Sequence, residues 1–307
     1  MASTLETSLA PGRADAARRP GVSATDALLL LMSVLWGVNY VVVKYGTGVL
    51  APEAYNGARI ALATVAFVGL ARVRREPRVA RRDLLALLAL GVLGNGLYQW
   101  LFAEGVAHTS AGSAALVLAA SPALIALIGH LSGVERVHAR GYAGIALSMV
   151  GIALVVLGYG SGAGHHATLA GNVITLAGAL CWAVYTVLLQ PYTKRVSLVN
   201  ISALTLVGGM LPLLVVSAPA LHATNWAAVR PATWAAIVYS GIGSLVLGYL
   251  FWYRGVRVLG PTRTAIYSNL QPAIALAAAW AALGEVPTPL QGVGAATIIA
   301  GVILTRT

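Results

Sequence analysis

The chain consists largely of apolar segments of membrane-spanning length, joined by short loops that carry most of its charge. A helix needs roughly 17–25 mostly apolar residues to cross a bilayer. Breaks at charges, prolines and glycine-rich turns leave ten segments: residues 26–45, 53–71, 83–103, 109–131, 137–157, 170–189, 199–218, 232–252, 262–283 and 290–304. Only 9% of the residues are charged, against about 25% in a soluble domain, so the chain cannot cover a water-facing surface. This predicts an all-α polytopic membrane protein.

The second half of the sequence repeats the first, with the positive charges moved to opposite helix ends. A shift of 150 residues aligns residues 97–155 with residues 247–305 without a gap. Residues 104–113 contain no Lys or Arg, whereas the aligned residues 254–263 include Arg254, Arg257 and Arg263. Basic residues mark the cytoplasmic side of membrane loops, so equivalent loops lie on opposite faces. The pattern predicts two inverted repeats of five transmembrane helices each, as in inverted-topology transporters.

The charge bias also predicts the orientation. With both termini in the cytoplasm, most of the 20 Lys and Arg residues fall in cytoplasmic loops. Residues 1–22 contain arginines but no apolar core, which indicates a disordered cytoplasmic tail rather than a signal peptide. The two repeats are then expected at residues 23–158 and 168–307. Because each repeat has an odd number of spans, the second enters the membrane from the opposite side.

The first and sixth segments also repeat each other, at a shift of 146 residues. Trp36 aligns with Trp182, and Asn39 aligns with Tyr185. Side chains three and four positions apart share a helix face, so both segments carry an aromatic and polar stripe. A side-chain amide facing lipid is costly, and these stripes are therefore expected to line a cavity between the two halves.

An inverted-repeat carrier binds its substrate near the membrane midplane, where polar groups are functional candidates. We sought aromatic and polar side chains far from segment ends. The candidate substrate-binding residues are Trp36, Asn39, Tyr40, Tyr98, Gln99, Trp182, Tyr185, Tyr249, Tyr267 and Gln271. Trp100 and Trp252 have an equally good explanation as aromatic residues of the membrane interface.

Two prolines occupy equivalent positions inside the fourth and ninth segments, Pro122 and Pro272. A proline has no N–H to donate to the carbonyl four residues earlier, here Leu118 and Ser268. Each can therefore kink its helix and expose a backbone acceptor in a cavity. A gating role and a purely structural role both explain the recurrence of these prolines.

Lys44 and Arg59 lie toward the periplasmic side, against the overall charge bias. One explanation is snorkelling of the side chains toward water, with Glu53 as a nearby partner. The alternative is attraction of a substrate carboxylate or phosphate. Arg59 lies about two helical turns inside its segment, roughly 9 Å by helix rise. We therefore assign both cations an inward-facing structural or gating role.

Several other kinds of site are not expected. The six histidines do not form a cluster at metal-ligand spacing, and Cys181 is the only cysteine, so neither a metal nor another cofactor is predicted. The net charge of +11 resides in short loops, where orientation explains it, and nucleic acid is not expected as a partner. All nine carboxylates fall in the tail, in loops or near segment ends. Proton-coupled pumps usually embed a carboxylate, so facilitated transport is predicted instead.

Ordered motifs extend across nearly the whole chain. They include W-G-V-N-Y-V-V-V-K from Trp36, P-E-A-Y-N-G-A-R from Pro52, S-P-A-L from Ser121 and Q-P-A-I from Gln271. Together they resemble the EamA-type carriers of the drug/metabolite transporter superfamily, and most of all the YddG-type amino-acid exporters. The resemblance implies a basket of ten helices in the bacterial inner membrane. It also implies export of small metabolites from the cytoplasm through a central cavity.

These features lead to a main functional hypothesis and to alternatives. The main hypothesis is alternating-access export of neutral amino acids, especially apolar and aromatic ones, because uncharged aromatic walls suit a zwitterion. The carrier alternatives are efflux of drugs or organic cations and transport of a nucleotide-sugar-like metabolite. A membrane-embedded enzyme or a scaffold would belong to a different class, and the sequence has no nucleophile or metal set for the former. The expected partners are a small-molecule substrate and the lipid bilayer, and a monomer is compatible with this function.

Overall fold

The computed structural model describes residues 23–133, 139–157, 168–265 and 267–304, and the regular structure in these residues is helical. The predicted tail at residues 1–22 and the loop carboxylate Glu135 lie outside the described residues. The helices of the first half are α1 (Ala24–Val49), α2 (Pro52–Val73), α3 (Arg81–Gly91), α4 (Tyr98–His108), α5 (Ala111–Leu118), α6 (Ser121–Leu131) and α7 (Ala139–Leu157).

The second half contributes the same number of α-helices to the described part of the chain. They are α8 (Leu169–Thr193), α9 (Leu198–Ala223), α10 (Pro231–Val238), α11 (Gly248–Leu259), α12 (Pro261–Ala265), α13 (Gln271–Leu283) and α14 (Pro289–Leu304). Short 3₁₀ turns lie at Trp226–Ala228 and Tyr267–Leu270.

Seven helical stretches within the described residues are long and apolar enough to cross a membrane. They are Ala24–Val49, Pro52–Val73, Arg81–His108, Ala111–Leu131, Leu169–Thr193, Leu198–Ala223 and Pro231–Leu259. These stretches coincide with the first four and the sixth to eighth segments of the sequence. The remaining three segments are also helical, but their helices are shorter or interrupted, so the full number of ten spans stays a prediction.

Several helix ends follow from local polar chemistry. At the start of α1, the Ser23 hydroxyl accepts from the Asp26 amide at 3.2 Å, and the Asp26 carboxylate accepts from the Ser23 amide at 2.8 Å. This reciprocal arrangement satisfies two amide donors that the first helical turn leaves free. At the far end of α13, Gly284 adopts φ of 68°, a left-handed conformation that glycine reaches without strain.

Two long spans are interrupted at equivalent places by wider π-helical turns. One covers Val92–Leu97, between α3 and α4, and the other covers Tyr239–Leu247, between α10 and α11. A shift of 150 residues places the first segment inside the second. Such turns are frequent at functional sites, because they redirect side chains without ending the helix.

Helices α7 and α14 pack against each other in antiparallel orientation through small residues. A Cβ added to Gly151 would lie 2.8 Å from the Gly294 carbonyl oxygen, and one added to Gly301 would lie 2.5 Å from the Gly144 carbonyl oxygen. Small residues allow helix backbones to approach closely in a membrane, where dispersion contacts rather than water exclusion hold helices together. These glycines are therefore required by the packing of this helix pair.

This packing generates a stability prediction. Gly294→Leu places a side chain against the backbone of Gly151 and the side chain of Val155, so we expect overpacking to cost about 1–3 kcal/mol. Gly292, on the same helix, has open space around its Cα, and Gly292→Leu is the matched control. Thermal unfolding of the detergent-solubilised protein should show a lower midpoint for Gly294→Leu alone. Equal midpoints for the two variants would contradict the packing.

Candidate functional site

A cavity lies among the helices of both halves. Of the predicted site residues, it is lined by Trp36, Asn39, Tyr40, Arg59, Tyr98, Gln99, Pro122, Trp182, Tyr249 and Gln271. The rest of the lining is Phe102, Leu118, Ser121, Ile125, Ser244, Leu245, Trp252, Ala265 and Ser268. Aromatic rings and neutral polar groups thus dominate the wall, and Arg59 is the only charged side chain among these described residues.

Aromatic rings from several helices meet on one side of the cavity. The rings of Trp36 and Trp182 are 5.9 Å apart and nearly perpendicular, and Tyr98 lies 5.0 Å from Trp182. Tyr249 stacks on Trp182 at 6.0 Å with an interplanar angle of 26°. The indole N–H of Trp36 donates to the Ser244 carbonyl at 2.9 Å, inside the second π-helical segment. The cluster therefore presents fixed aromatic faces to the cavity.

Arg59 anchors a polar network on the cavity wall and is fully buried. Its Nε donates to Asn56 Oδ1 at 2.9 Å, Nη1 to Ser240 Oγ at 3.0 Å, and Nη2 to Gln99 Oε1 at 2.7 Å. The Gln99 amide nitrogen in turn donates to the Tyr249 hydroxyl at 2.6 Å. The network joins α2, α4, α11 and the Tyr239–Leu247 segment around the cavity.

Two buried polar atoms of the cavity wall have no hydrogen-bond partner among the described residues. They are the side-chain oxygen of Asn39, a residue 4% exposed, and the indole nitrogen of Trp252, a residue 1% exposed. A buried polar atom normally has a partner, because leaving it unpaired costs about 1–3 kcal/mol. The residues of the cavity wall thus include one acceptor and one donor without a partner.

The two proline-marked interruptions also border the cavity. Helix α5 ends at Leu118, and α6 restarts with Pro122 in its second position. In the second half, a 3₁₀ turn containing Ser268 precedes α13, whose second residue is Pro272. Leu118 and Ser268, the residues whose carbonyls lose a helical donor, both line the cavity. Irregular backbone inside a membrane protein is tolerated where it lines such a space.

Four predicted site residues do not line the cavity. The Tyr185 ring lies 5.5 Å from the Trp182 ring, and the Tyr185 hydroxyl forms a hydrogen bond with the Tyr253 hydroxyl at 2.6 Å. The Tyr267 hydroxyl donates to the Asp26 carboxylate, because the 3₁₀ turn removes Tyr267 from the face that carries Gln271. Pro272 is buried but absent from the lining.

Lys44 is the fourth of these residues, and its ammonium group binds backbone carbonyls outside the cavity. Its ammonium donates to the carbonyls of Val106, Ala107 and Thr109 at 3.2, 2.9 and 2.7 Å. These carbonyls lie at the end of α4, where the last helical acceptors lack partners of their own. Lys44 therefore ties α1 to the junction between α4 and α5 rather than forming an ion pair with Glu53.

Sequence reasoning missed Phe102, Ser121, Ile125, Leu245 and Ala265 as lining residues, and it left Trp252 undecided. A signal for Phe102 was present in the repeat, because a shift of 150 residues aligns it with Trp252. Both residues line the cavity. The Arg59 guanidinium carbon also lies over the Phe102 ring, 5.4 Å from the ring centre. The aliphatic Ile125 carries no such signal, because its side chain looks the same whether it faces lipid or a cavity.

The fold and the site define a helical membrane protein with an internal, largely aromatic cavity. Residues 23–157 and 169–307 each match the EamA-like transporter family. The chain belongs to this family of multi-pass membrane transporters.

Individual relatives agree with this assignment. The chain is 31% identical to a "Probable amino-acid metabolite efflux pump" of Salmonella typhimurium, over 90% of this chain and 93% of that protein. It is 29% identical to a "Probable terminal-alkyne amino-acid exporter" of Streptantibioticus cattleyicolor, over 90% and 91%. A solved crystal structure at 21% identity shares the fold, with a TM-score of 0.61 over 91% of this chain and 95% of that one.

The aromatic cluster generates a transport prediction. Trp182→Ala removes a ring that contacts Trp36, Tyr98 and Tyr249, and Asn39→Ala removes the unpartnered acceptor. We expect each to reduce initial uptake in proteoliposomes about tenfold, equivalent to about 1.4 kcal/mol of lost binding.

The matched control for the tryptophan is Trp280→Ala, because Trp280 on α13 is 67% exposed. All three variants should elute as single monodisperse peaks, which separates loss of transport from loss of folding. Full activity of both cavity variants would move the substrate site elsewhere.

Proposed function

We propose that this protein exports small amino-acid metabolites from the cytoplasm by alternating access, through the cavity between two inverted five-helix repeats. The observation that carries the proposal is the pairing of repeat-equivalent residues across the cavity. Trp36 and Trp182 touch each other, and so do Gln99 and Tyr249, whose numbers differ by 150. A pseudo-two-fold axis through the cavity brings equivalent residues together in this way, and inverted-repeat carriers bind their substrates at such an interface.

The packing of α7 against α14 supports the same symmetry. At the shift of 150 residues, Gly144 is equivalent to Gly294, and Gly151 to Gly301. The contacts run crosswise, since Gly151 meets Gly294 and Gly301 meets Gly144. Reciprocal contacts of this kind are the mark of a two-fold interface. Because the helices are antiparallel, the axis lies across them, in the membrane plane, as two inverted halves require.

The proposed topology places ten spans in the bacterial inner membrane, with both termini in the cytoplasm. Seven helices of spanning length, the shorter helices α7, α13 and α14, and the arginine-rich loop at residues 72–82 support this arrangement. The two family matches, over residues 23–157 and 169–307, support repeats with these approximate boundaries.

An amino acid is the substrate class that the site and the relatives favour. Relatives carry names that describe amino-acid or amino-acid metabolite export. The aromatic faces of the cavity suit an apolar side chain, and the side-chain amide oxygen of Asn39 can accept a hydrogen bond from an ammonium group. Organic cations are disfavoured, since Arg59 is a buried positive charge on the same wall.

Counterflow in proteoliposomes tests the proposed function. The purified protein is reconstituted with an excess of unlabelled amino acid inside, and labelled amino acids are offered outside as a panel. We expect transient accumulation of neutral amino acids, strongest for aromatic and large apolar ones. Nucleosides, sugars and organic cations should compete weakly. Competition by these non-amino-acid compounds alone would contradict the proposal, and protein-free liposomes give the background.

The position of the acidic groups generates a prediction about energy coupling. None of the described cavity-lining residues is an Asp or Glu, so the site has no carboxylate to carry a proton. We expect facilitated transport, with equal initial rates in proteoliposomes with and without an imposed pH gradient. A several-fold dependence of the rate on the gradient, in liposomes clamped at zero membrane potential, would contradict this expectation.

A further inference from the structure

We propose that Arg59 binds the carboxylate of the transported amino acid, as the anion-recognition group of the cavity. This inference rests on the proposed function, because it assumes that the cavity is the substrate site. It also means that a charged group, and not only aromatic and neutral polar groups, selects the substrate. The sequence predicted uncharged walls and a structural or gating role for Arg59, whereas the structure places one buried cation on the wall.

The charge balance around Arg59 favours a bound anion. Arg59 is fully buried, and its three hydrogen-bond acceptors, on Asn56, Ser240 and Gln99, are all neutral. Within the described part of the chain, no carboxylate pairs with it. A buried charge without a counter-ion is strongly unfavourable, whereas a paired one is tolerated. A substrate carboxylate would supply the missing negative charge each time the site is loaded.

Arg59 also has hydrogen-bond donors that the protein does not use. A guanidinium group has five N–H donors in a planar fork, and it remains charged at any physiological pH. The network uses one N–H on each of its three nitrogens, which leaves one free donor on Nη1 and one on Nη2. Two donors on a rigid fork match the two oxygens of a carboxylate.

The Arg59 guanidinium is also preorganised for binding. Asn56 and Arg59 lie one turn apart on α2, Gln99 belongs to α4, and Ser240 belongs to the Tyr239–Leu247 segment. The guanidinium is thus held from three separate elements before any ligand arrives. A purely structural cross-link would not require a permanent charge in such a place, since a neutral side chain could bridge the same neutral acceptors at lower cost.

The remaining free groups of the cavity suit the other end of an amino acid. The unpartnered Asn39 oxygen can accept from an ammonium group, and the faces of Trp36 and Trp182 can attract it by cation–π interaction. A single fixed positive charge matches a singly charged carboxylate. A phosphate group would call for several cations, and the described lining has only this one.

The test compares an amino acid with its own carboxamide, which keeps the side chain and the ammonium but removes the negative charge. Counterflow of labelled L-phenylalanine is measured with unlabelled L-phenylalanine or L-phenylalaninamide as competitor. For the unmodified protein we expect the carboxamide to compete at least about tenfold more weakly. In Arg59→Gln, the apparent affinity for L-phenylalanine should fall at least about tenfold, while that for the carboxamide should not fall.

Two further variants keep the test informative if Arg59→Gln folds poorly. Gln99→Glu is nearly isosteric and places an internal carboxylate where Gln99 Oε1 now lies, 2.7 Å from Arg59 Nη2. This carboxylate should occupy the guanidinium and weaken L-phenylalanine binding without weakening carboxamide binding. The control is Arg72→Gln, since Arg72 is an exposed arginine at the other end of α2, and its profile should match that of the unmodified protein.

The outcomes separate this inference from the proposed function. Equal affinities for L-phenylalanine and its carboxamide in the unmodified protein would overturn the assignment of Arg59 while leaving amino-acid transport intact. An equal loss for both ligands in Arg59→Gln and in Gln99→Glu would do the same, because a structural role weakens both ligands alike. Absence of counterflow for every amino acid in the panel would overturn the proposed function itself, and this inference with it.

Discussion

The hydrocarbon core of a membrane offers no hydrogen-bond partner, so each polar side chain within a span must pair with protein or face an aqueous cavity. The buried network around Arg59 supplies hydrogen-bond acceptors to a fully buried guanidinium group. Gln99 both accepts from Arg59 and donates to the Tyr249 hydroxyl, which connects helices of the two halves. The position of the cavity wall depends on this network, because its loss would leave the Arg59 guanidinium without hydrogen-bond acceptors in an apolar interior.

Helices α7 and α14 pack closely against each other, whereas other helices of the two halves surround the cavity. At the α7–α14 contact, glycines bring two backbones together, and their reciprocal pairing follows the same pseudo-two-fold relation as Trp36 and Trp182 in the cavity. A shared axis allows one half to adopt the conformation of the other, which is the basis of alternating access in inverted-repeat carriers. The matched π-helical segments and proline-marked breaks interrupt both halves, and under the proposed alternating access they are the places where each half would bend.

Hydropathy and charge were sufficient to predict a helical membrane protein, because a bilayer restricts a chain to very few structures. The repeat located Trp36 and Trp182, since a feature that recurs in both halves is expected at their interface. Tyr267 was placed on the Gln271 face by assuming an unbroken helix, and the 3₁₀ turn before α13 redirects it toward Asp26. The pairing of Arg59 with groups from distant helices depends on tertiary packing, which no local pattern records.

Alternating access means that the proposed substrate cavity opens to each side of the membrane in turn and closes around a substrate. Ser121 lines the cavity, and Cys181 is the only native thiol, so Ser121→Cys in a Cys181→Ala background provides a single reporter. Its reaction with a membrane-impermeant thiol reagent can be measured in right-side-out and in inside-out vesicles. Alternating access predicts labelling from both sides and slower labelling when a transported amino acid is present. Labelling from one side only, unaffected by any amino acid, would contradict it.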